Sequence, residues 1–432
     1  MKPQAVSSLP HIVVIGAGFG GLTFVQSFPK GLARITVVDK QNHHLFQPLL
    51  YQVATAGLSA VDIAQPVRAL FGSRPHLQVI MCEVTGIDLA AKRVVHSRGE
   101  LTYDYLVIAA GGVTSYFGHP EWEQFAPGLK SIDDALRIRR LILLSLERAE
   151  TERDPEKRES AMNIVVIGGG PTGVEVAGAL AELTRTVLNK DFDHIDPAKV
   201  RVRLIEGGPR VLGTFPPDLS ASAQRQLEKL GVEVHTGMRV EAIRAGEVVI
   251  AGETIRSDNI VWAAGVGAAP IAKQLGVEID RAGRIKVLPD LSVPGHPEVF
   301  ALGDIVTLTD ANGVVVPGVA QGAMQMGKHA ARLIERELGG EKYSPAGRRP
   351  FAYHDKGNMA TIGRSSAVAE IKGRKLTGFP AWFAWLAIHL LFLIGFRNKF
   401  SVLMQWTYSY FTYKRGARII TGVSGEKSAG SA

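Results

Sequence analysis

Cysteine is nearly absent: Cys82 is the only one in 432 residues. That excludes an intramolecular disulfide, a Cys-x-x-Cys redox pair and a thiolate metal cluster, and leaves Cys82 to serve as a small buried hydrophobe. Metal-ligand spacing is also lacking. His43, His44 and His389 have no His or carboxylate partners at zinc-site intervals, so no metal is expected, and His389 inside its apolar run reads as a packed or interfacial residue. No apolar stretch clearly reaches the roughly 20 residues of a membrane-spanning helix. Met1–Pro10 has no apolar core, which argues against a cleaved secretory leader. What is present is a hydrophobic fraction of 46% with 47 glycines, the composition of an α/β enzyme rather than of a disordered or fibrous chain. The net charge of +8 suits either solubility or an anionic membrane surface, and no nucleic-acid partner is expected.

Two glycine-rich fingerprints stand out. His11–Ile15 runs into Gly16-Ala17-Gly18-Phe19-Gly20-Gly21, and Asn163–Ile167 runs into Gly168-Gly169-Gly170-Pro171-Thr172-Gly173. In each, the first glycine makes a tight turn, the second lets backbone N–H groups approach a pyrophosphate, and the third lets helix and strand pack closely. The helix N-terminus that follows offers donors and a positive dipole end to phosphate. An acid closes the next apolar strand in both cases: Asp39 after Arg34–Val38, and Glu206 after Val200–Ile205. Such an acid takes ribose hydroxyls, and Glu206 would repel a 2′-phosphate, so NADH is favoured over NADPH, with Arg210 able to blunt the preference.

The pattern is duplicated further. Tyr105–Ile108 ends in Ala109-Ala110-Gly111-Gly112, and Asp258–Trp262 ends in Ala263-Ala264-Gly265. The chain later returns to a strand, Glu298–Leu302, ending at Gly303-Asp304. The first domain is therefore read as discontinuous, with the second inserted: 1–118 and 269–343 form one dinucleotide-binding domain, 119–268 the other, and 344–432 a terminal segment. Ser131 to Arg148 has helical periodicity with Ser131 as cap, and the charged stretch 147–159 reads as a helix end and linker. Gly318–Leu338 is the best amphipathic helix, opened by Pro317. Met359–Gly363 and Ser366–Ile371 read as strands around a turn.

These motifs resemble the type II NADH dehydrogenases, single-subunit NADH:quinone oxidoreductases of the two-dinucleotide-binding flavoprotein superfamily, and the resemblance covers the whole chain. The specific matches are Asn42 to Ala54, Pro171-Thr172-Gly173-Val174-Glu175 and Ala320-Gln321-Gly322-Ala323-Met324-Gln325, which looks like the family's quinone-binding signature. The resemblance implies two Rossmann-like domains and non-covalent FAD at the first site, held by Gly16, Gly18, Gly20, Gly21, Asp39, Lys40, Ala110, Gly111, Asp304 and Ala320. Gln47, Pro48 and Leu49 would lie beside the flavin ring, where disulfide reductases carry cysteines. NADH as substrate would use Gly168, Gly170, Gly173, Glu206 and Gly265. A helix N-terminus directed at the flavin's pyrimidine edge would stabilise negative charge there. Gln321 and Gln325, one turn apart, would line an acceptor pocket without adding charge. Glu175, placed in the first turn of its helix, is either a dipole complement or a residue that orients the hydride donor and influences flavin protonation.

The tail differs in composition. Trp382–Phe396 carries no formal charge, and Trp406, Tyr408, Tyr410 and Tyr413 interleave with Lys399, Lys414, Arg415 and Arg418. Aromatics with a basic rim suit two helices lying in an anionic headgroup boundary, in preference to a single span. The expected location is the cytoplasmic face of the inner membrane, with ubiquinone or menaquinone as acceptor and a homodimer left open. The family places a lysine near the quinone pocket at a distance from the C-terminus comparable to that of Lys399, which would supply a proton or else anchor lipid phosphate. Three alternatives are a ferredoxin or rubredoxin reductase, which would lack such a tail, a sulfide:quinone oxidoreductase, which needs redox cysteines, and a non-catalytic NADH sensor.

Overall fold

The structure is a computed structural model describing residues 9–188, 191–341, 347–412 and 416–420; Met1–Ser8, Asn189, the 343/344 boundary, Tyr413, Lys414 and Arg415 lie outside them. The chain divides into two units: 1–45 with 64–113 and 266–355, and 46–63 with 114–265 and 356–432. This grouping differs from the sequence reading in setting residues 46–63 apart from the first fingerprint's unit, and in dividing the terminal segment, 344–355 going with the first unit and 356–432 with the second.

The first unit is built on a six-stranded sheet in the order Ser292–Val293, His296–Ala301, Tyr105–Ile108, His11–Ile15, Arg34–Asp39, Leu77–Met81, parallel except for the first pair. The central strands are buried on both faces, hence their near-continuous Val and Ile. Helices Phe19–Ser27 and Ala320–Leu338 pack backbone to backbone: a Cβ on Gly327 would lie 2.4 Å from the Gly20 carbonyl oxygen. The second helix starts at Ala320, not at Gly318, because Val319 is extended (φ −129°, ψ 158°).

The second unit repeats the plan with four parallel strands in the order Val232–Thr236, Arg201–Glu206, Asn163–Ile167, Asn259–Trp262. The register is the same in both units. His11 pairs with Arg34 and Ile15 with Val38; Asn163 pairs with Arg201 and Ile167 with Ile205. Each fingerprint strand therefore stops one residue short of its neighbour's acid. Both units also carry a three-stranded antiparallel meander, Val84–Asp88 to Gly99–Thr102 and Val240–Arg244 to Glu253–Arg256, a part of the duplication that the sequence reading missed.

Helix Ile132–Thr151 begins as expected. Ser131 accepts the Asp134 N–H, and Asp134 accepts the Ser131 N–H, a reciprocal cap worth roughly 1 kcal/mol. Strands Asn358–Gly363 and Ser366–Ile371 form the expected hairpin, extended by an unforeseen third strand, Arg374–Thr377. A Cβ on Gly178 would fall 1.7 Å from the Ile362 carbonyl oxygen, so helix Pro171–Glu182 lies directly on this sheet. The apolar tail is broken in two: helix Phe379–Phe392 starts over Pro380, and after Gly395 (φ +87°) a second helix runs from Phe396 to Thr412. Arg397 and Lys399 thus lie inside the second helix. Among the described residues no helix is long and apolar enough to cross a membrane.

Candidate functional site

The first glycine loop is held from both sides. Gly16 adopts φ +97°, and its N–H reaches the Val38 carbonyl at 2.8 Å. A Cβ on Gly21 would sit 1.9 Å from the Gly16 oxygen, whereas one on Gly18 would meet nothing within 4 Å. The third glycine is thus consumed by packing and the second faces open space, as a dinucleotide cradle requires. Asp39 Oδ2 accepts the Ala17 N–H at 2.6 Å and Oδ1 accepts the Gln41 N–H at 2.7 Å. Burial pushes the Asp39 pKa up, and those two N–H groups oppose the rise. Buried His44, which sequence reasoning dismissed as a ligand, has Nδ1 2.9 Å from the Ala17 carbonyl and so braces the same loop; burial lowers its pKa and keeps the ring neutral. Lys40 is exposed, Ala110 and Gly111 are half-buried, and Asp304 lies beside Gly112 and Gly318.

The second loop reproduces this geometry. Gly168 adopts φ +108°, a Cβ on Gly173 would sit 1.7 Å from the Gly168 oxygen, and one on Gly170 would meet nothing within 4 Å. Glu206 Oε2 accepts the Gly169 N–H at 2.6 Å and Oε1 accepts the Gly208 N–H at 2.5 Å. Arg210, which could have blunted nucleotide preference, donates to the Gly213 carbonyl at 2.9 Å. Gly265 packs against Phe117. Both loops fit a bound dinucleotide.

Gln321 and Gln325 are both half-buried on helix Ala320–Leu338. The Gln325 amide is paired in both directions with the His354 backbone, donating to its carbonyl and accepting its N–H, each at 2.9 Å. Gln325 therefore fixes the 354 segment against the helix.

Glu175 lies in the second turn of helix Pro171–Glu182, past the capping positions, which corrects its assignment to the first turn. It lines a cavity of about 110 Å³ within the second unit, walled by Tyr51, Gln52, Thr361, Arg364, Trp382, Trp385, Trp406 and Tyr410, with Glu182 two turns on along the same helix. Desolvation pushes the Glu175 pKa up to about 8; the Thr361 N–H and the Trp385 indole oppose the shift without cancelling it. The carboxyl is thus largely protonated at neutral pH in a mainly aromatic surround that also holds Arg364 and Glu182. His389 stacks on Trp385 at 4.2 Å and has Nδ1 2.7 Å from its carbonyl; burial lowers its pKa to about 4, so it packs as a neutral ring.

Gln47–Leu49 form one 3-10 turn, with Leu49 buried. Lys399 donates from Nζ to the Leu391 carbonyl at 2.7 Å, closing the C-terminal end of the preceding helix, and is not among the cavity walls. Sequence reasoning missed Gln52 and Arg364. Tyr51 and Gln52 lay inside the motif it quoted, but Trp385 and Trp406 were read as interfacial aromatics only.

Comparison with known proteins agrees with this geometry. The pyridine nucleotide-disulphide oxidoreductase family matches residues 10–327, and the NDH2 C-terminal domain matches 355–414. The type II NADH:quinone oxidoreductase Ndh of Mycobacterium tuberculosis is 44% identical, covering 97% of this chain and 92% of that protein. That of Staphylococcus haemolyticus is 30% identical over 86% and 92%. The Plasmodium falciparum NDH2 structure in complex with NADH shares the fold at 19% identity, with a TM-score of 0.86 over 96% of this chain and 100% of that one. With two nucleotide cradles, one cysteine and a matching C-terminal domain, the chain belongs to the pyridine nucleotide-disulphide oxidoreductases, in the type II NADH:quinone oxidoreductase family.

Proposed function

We propose that the chain oxidises NADH and reduces a membrane quinone, ubiquinone or menaquinone, without pumping protons. FAD, the cofactor this family implies, would be held by the first glycine loop and Asp39, and when bound it accepts hydride from NADH and passes two electrons on. The observation that carries the reading is the cavity beside Glu175. Its aromatic walls suit a flat, neutral acceptor, and its one raised-pKa acid can supply a proton there. The balance requires this: NADH contributes one hydride and quinone takes two protons, so one must come from elsewhere. Glu206 orients NADH through its ribose, and Gly168, Gly170 and Gly173 admit the pyrophosphate. Gln321, which is not among the walls of that cavity, is assigned to the acceptor side on the family's hexapeptide signature alone.

The membrane reading rests on the last two helices. Phe383, Leu391, Phe396, Phe400 and Phe411 are exposed, Phe396 by 86%, and Arg397 stands among them. Such a surface fits the headgroup boundary of an anionic leaflet, reached from the cytoplasmic side. Bleaching of the flavin by NADH without oxygen, followed by recovery on adding a short-chain quinone, tests the whole assignment. Recovery with a ferredoxin and none with quinone would overturn it.

A further inference from the structure

Helix Phe396–Thr412 is amphipathic the wrong way round for a soluble protein. Phe396, Phe400, Leu403, Met404, Tyr408 and Phe411 face outward, while Val402 and Asn398 are its only fully buried residues. Polar bonds hold it to its unit beside the buried Val402 and the ring contacts of Trp406 with Trp385 and of Tyr410 with Trp382. Asp62, 5% exposed in the short helix Ala60–Ile63, accepts the Ser401 hydroxyl at 2.8 Å on Oδ1 and the Gln405 amide at 2.9 Å on Oδ2, where it also accepts the Ser59 N–H at 2.9 Å. Ser401 and Gln405 are one turn apart, so a single carboxylate grips two successive turns. Immediately beyond, the Trp406 indole donates to Gln52 at 2.8 Å. Arg364 then donates to the carbonyls of Ser409 and Tyr410 at 2.9 and 2.7 Å. The residues placed by this grip, Trp406, Ser409 and Tyr410, are cavity walls; Asp62 is not.

We propose that Asp62 is a positioning residue for the acceptor cavity, acting through Ser401 and Gln405 to set the helix that supplies one wall. The proposal rests on the cavity being the acceptor site. A carboxylate suits the task because it accepts only, and charge-assisted bonds to a hydroxyl and an amide are stronger and more directional than neutral ones. Nothing in it requires Asp62 to touch NADH or the acceptor.

The experiment uses full-length, flavin-loaded enzyme in detergent with a short-chain quinone. Asp62→Ala is expected to raise the quinone KM at least tenfold while anaerobic bleaching by NADH stays within twofold. Asp62→Asn can keep its oxygen toward the Ser59 N–H and the Gln405 amide and donate its new N–H to the Ser401 hydroxyl, which can accept, so most of the quinone KM should return. Ser401→Ala/Gln405→Ala leaves the turn around Asp62 intact and should reproduce the Asp62→Ala effect, and the triple variant should be no worse than either. Additive effects, or a normal quinone KM in Ser401→Ala/Gln405→Ala, would overturn the proposal. Trp406→Ala separates the two levels. If it raises the quinone KM and Asp62→Ala does not, the grip is refuted and the cavity stands; if neither variant moves the KM, the acceptor reading fails and the proposal with it.

Discussion

Glu206 receives the Gly169 N–H at 2.6 Å, which locks the strand-end acid to the glycine loop it follows. With Oε1 taken by Gly208, the carboxylate is fixed in place and presents its remaining lone pairs as a charged acceptor. NADH should therefore be preferred to NADPH, and Glu206→Gln should shrink the ratio of their kcat/KM values by about tenfold, ~1.4 kcal/mol. Steady-state kinetics with both nucleotides check this; equal efficiency in the parent enzyme would defeat it.

Asp39 performs the corresponding task for the first loop. Asp39→Ala leaves the Ala17 and Gln41 N–H groups without their acceptor and would remove the ribose partner proposed for the flavin nucleotide. The flavin-to-protein ratio after gel filtration should fall well below that of the parent, and full retention would count against flavin at this site.

Gln321→Ala should slow quinone turnover while leaving anaerobic flavin reduction largely intact. Gln325→Ala should do the same and, because it also breaks both bonds to the His354 backbone, should cost about 1–3 kcal/mol of stability. Melting curves distinguish the pair: equal melting temperatures for the two variants would contradict the structural role of Gln325.

Glu175 makes a pH-dependent contribution whose sign is fixed. Its folded pKa of about 8 lies above the ordinary 4.5, so the folded state keeps a proton that the unfolded chain releases. Its stabilising effect is present below about 4.5 and is lost as pH rises towards 8. Glu175→Gln should match the parent's melting temperature near pH 4.5 and exceed it at pH 9. If the acid also supplies a proton, quinone turnover should decline through about pH 8 in the parent and not in the variant.

Removing residues from Phe379 onward should release the protein from membranes, measured by sedimentation with vesicles rich in anionic lipid. Lys399 is tested separately with a water-soluble quinone in detergent. Because its ammonium closes the helix end at Leu391, Lys399→Ala should lower turnover and Lys399→Arg should restore it. Failure of Arg to restore it would count against the capping role.

Much of this was legible in the sequence where the determinants are local. The glycine loops, strand-end acids and Ser131 cap depend on neighbours in the chain, and the structure finds them where residue type and spacing predict. The start of the Ala320 helix was misplaced because Pro317 and Gly318 look like an entry while Val319 stays extended. The cavity was invisible for a different reason. Gln52 meets Trp406 across 354 residues and Asp62 meets Ser401 across 339, and no periodicity encodes such pairings. Glu175 was noticed, but its raised pKa comes from desolvation, which only the fold imposes on it.

The reversed polarity of the last helix also sets an order of assembly. Hydrophobic collapse recruits elements by their apolar faces, and this helix has its apolar face outside, so collapse gives it no strong reason to join the core. Its docking is expected to follow the placing of Gln52, Asp62 and Arg364, the groups that bond to it. The wall that Trp406, Ser409 and Tyr410 give the cavity is therefore expected to complete only after those partners are placed, and to be the first part of it lost as the protein is destabilised.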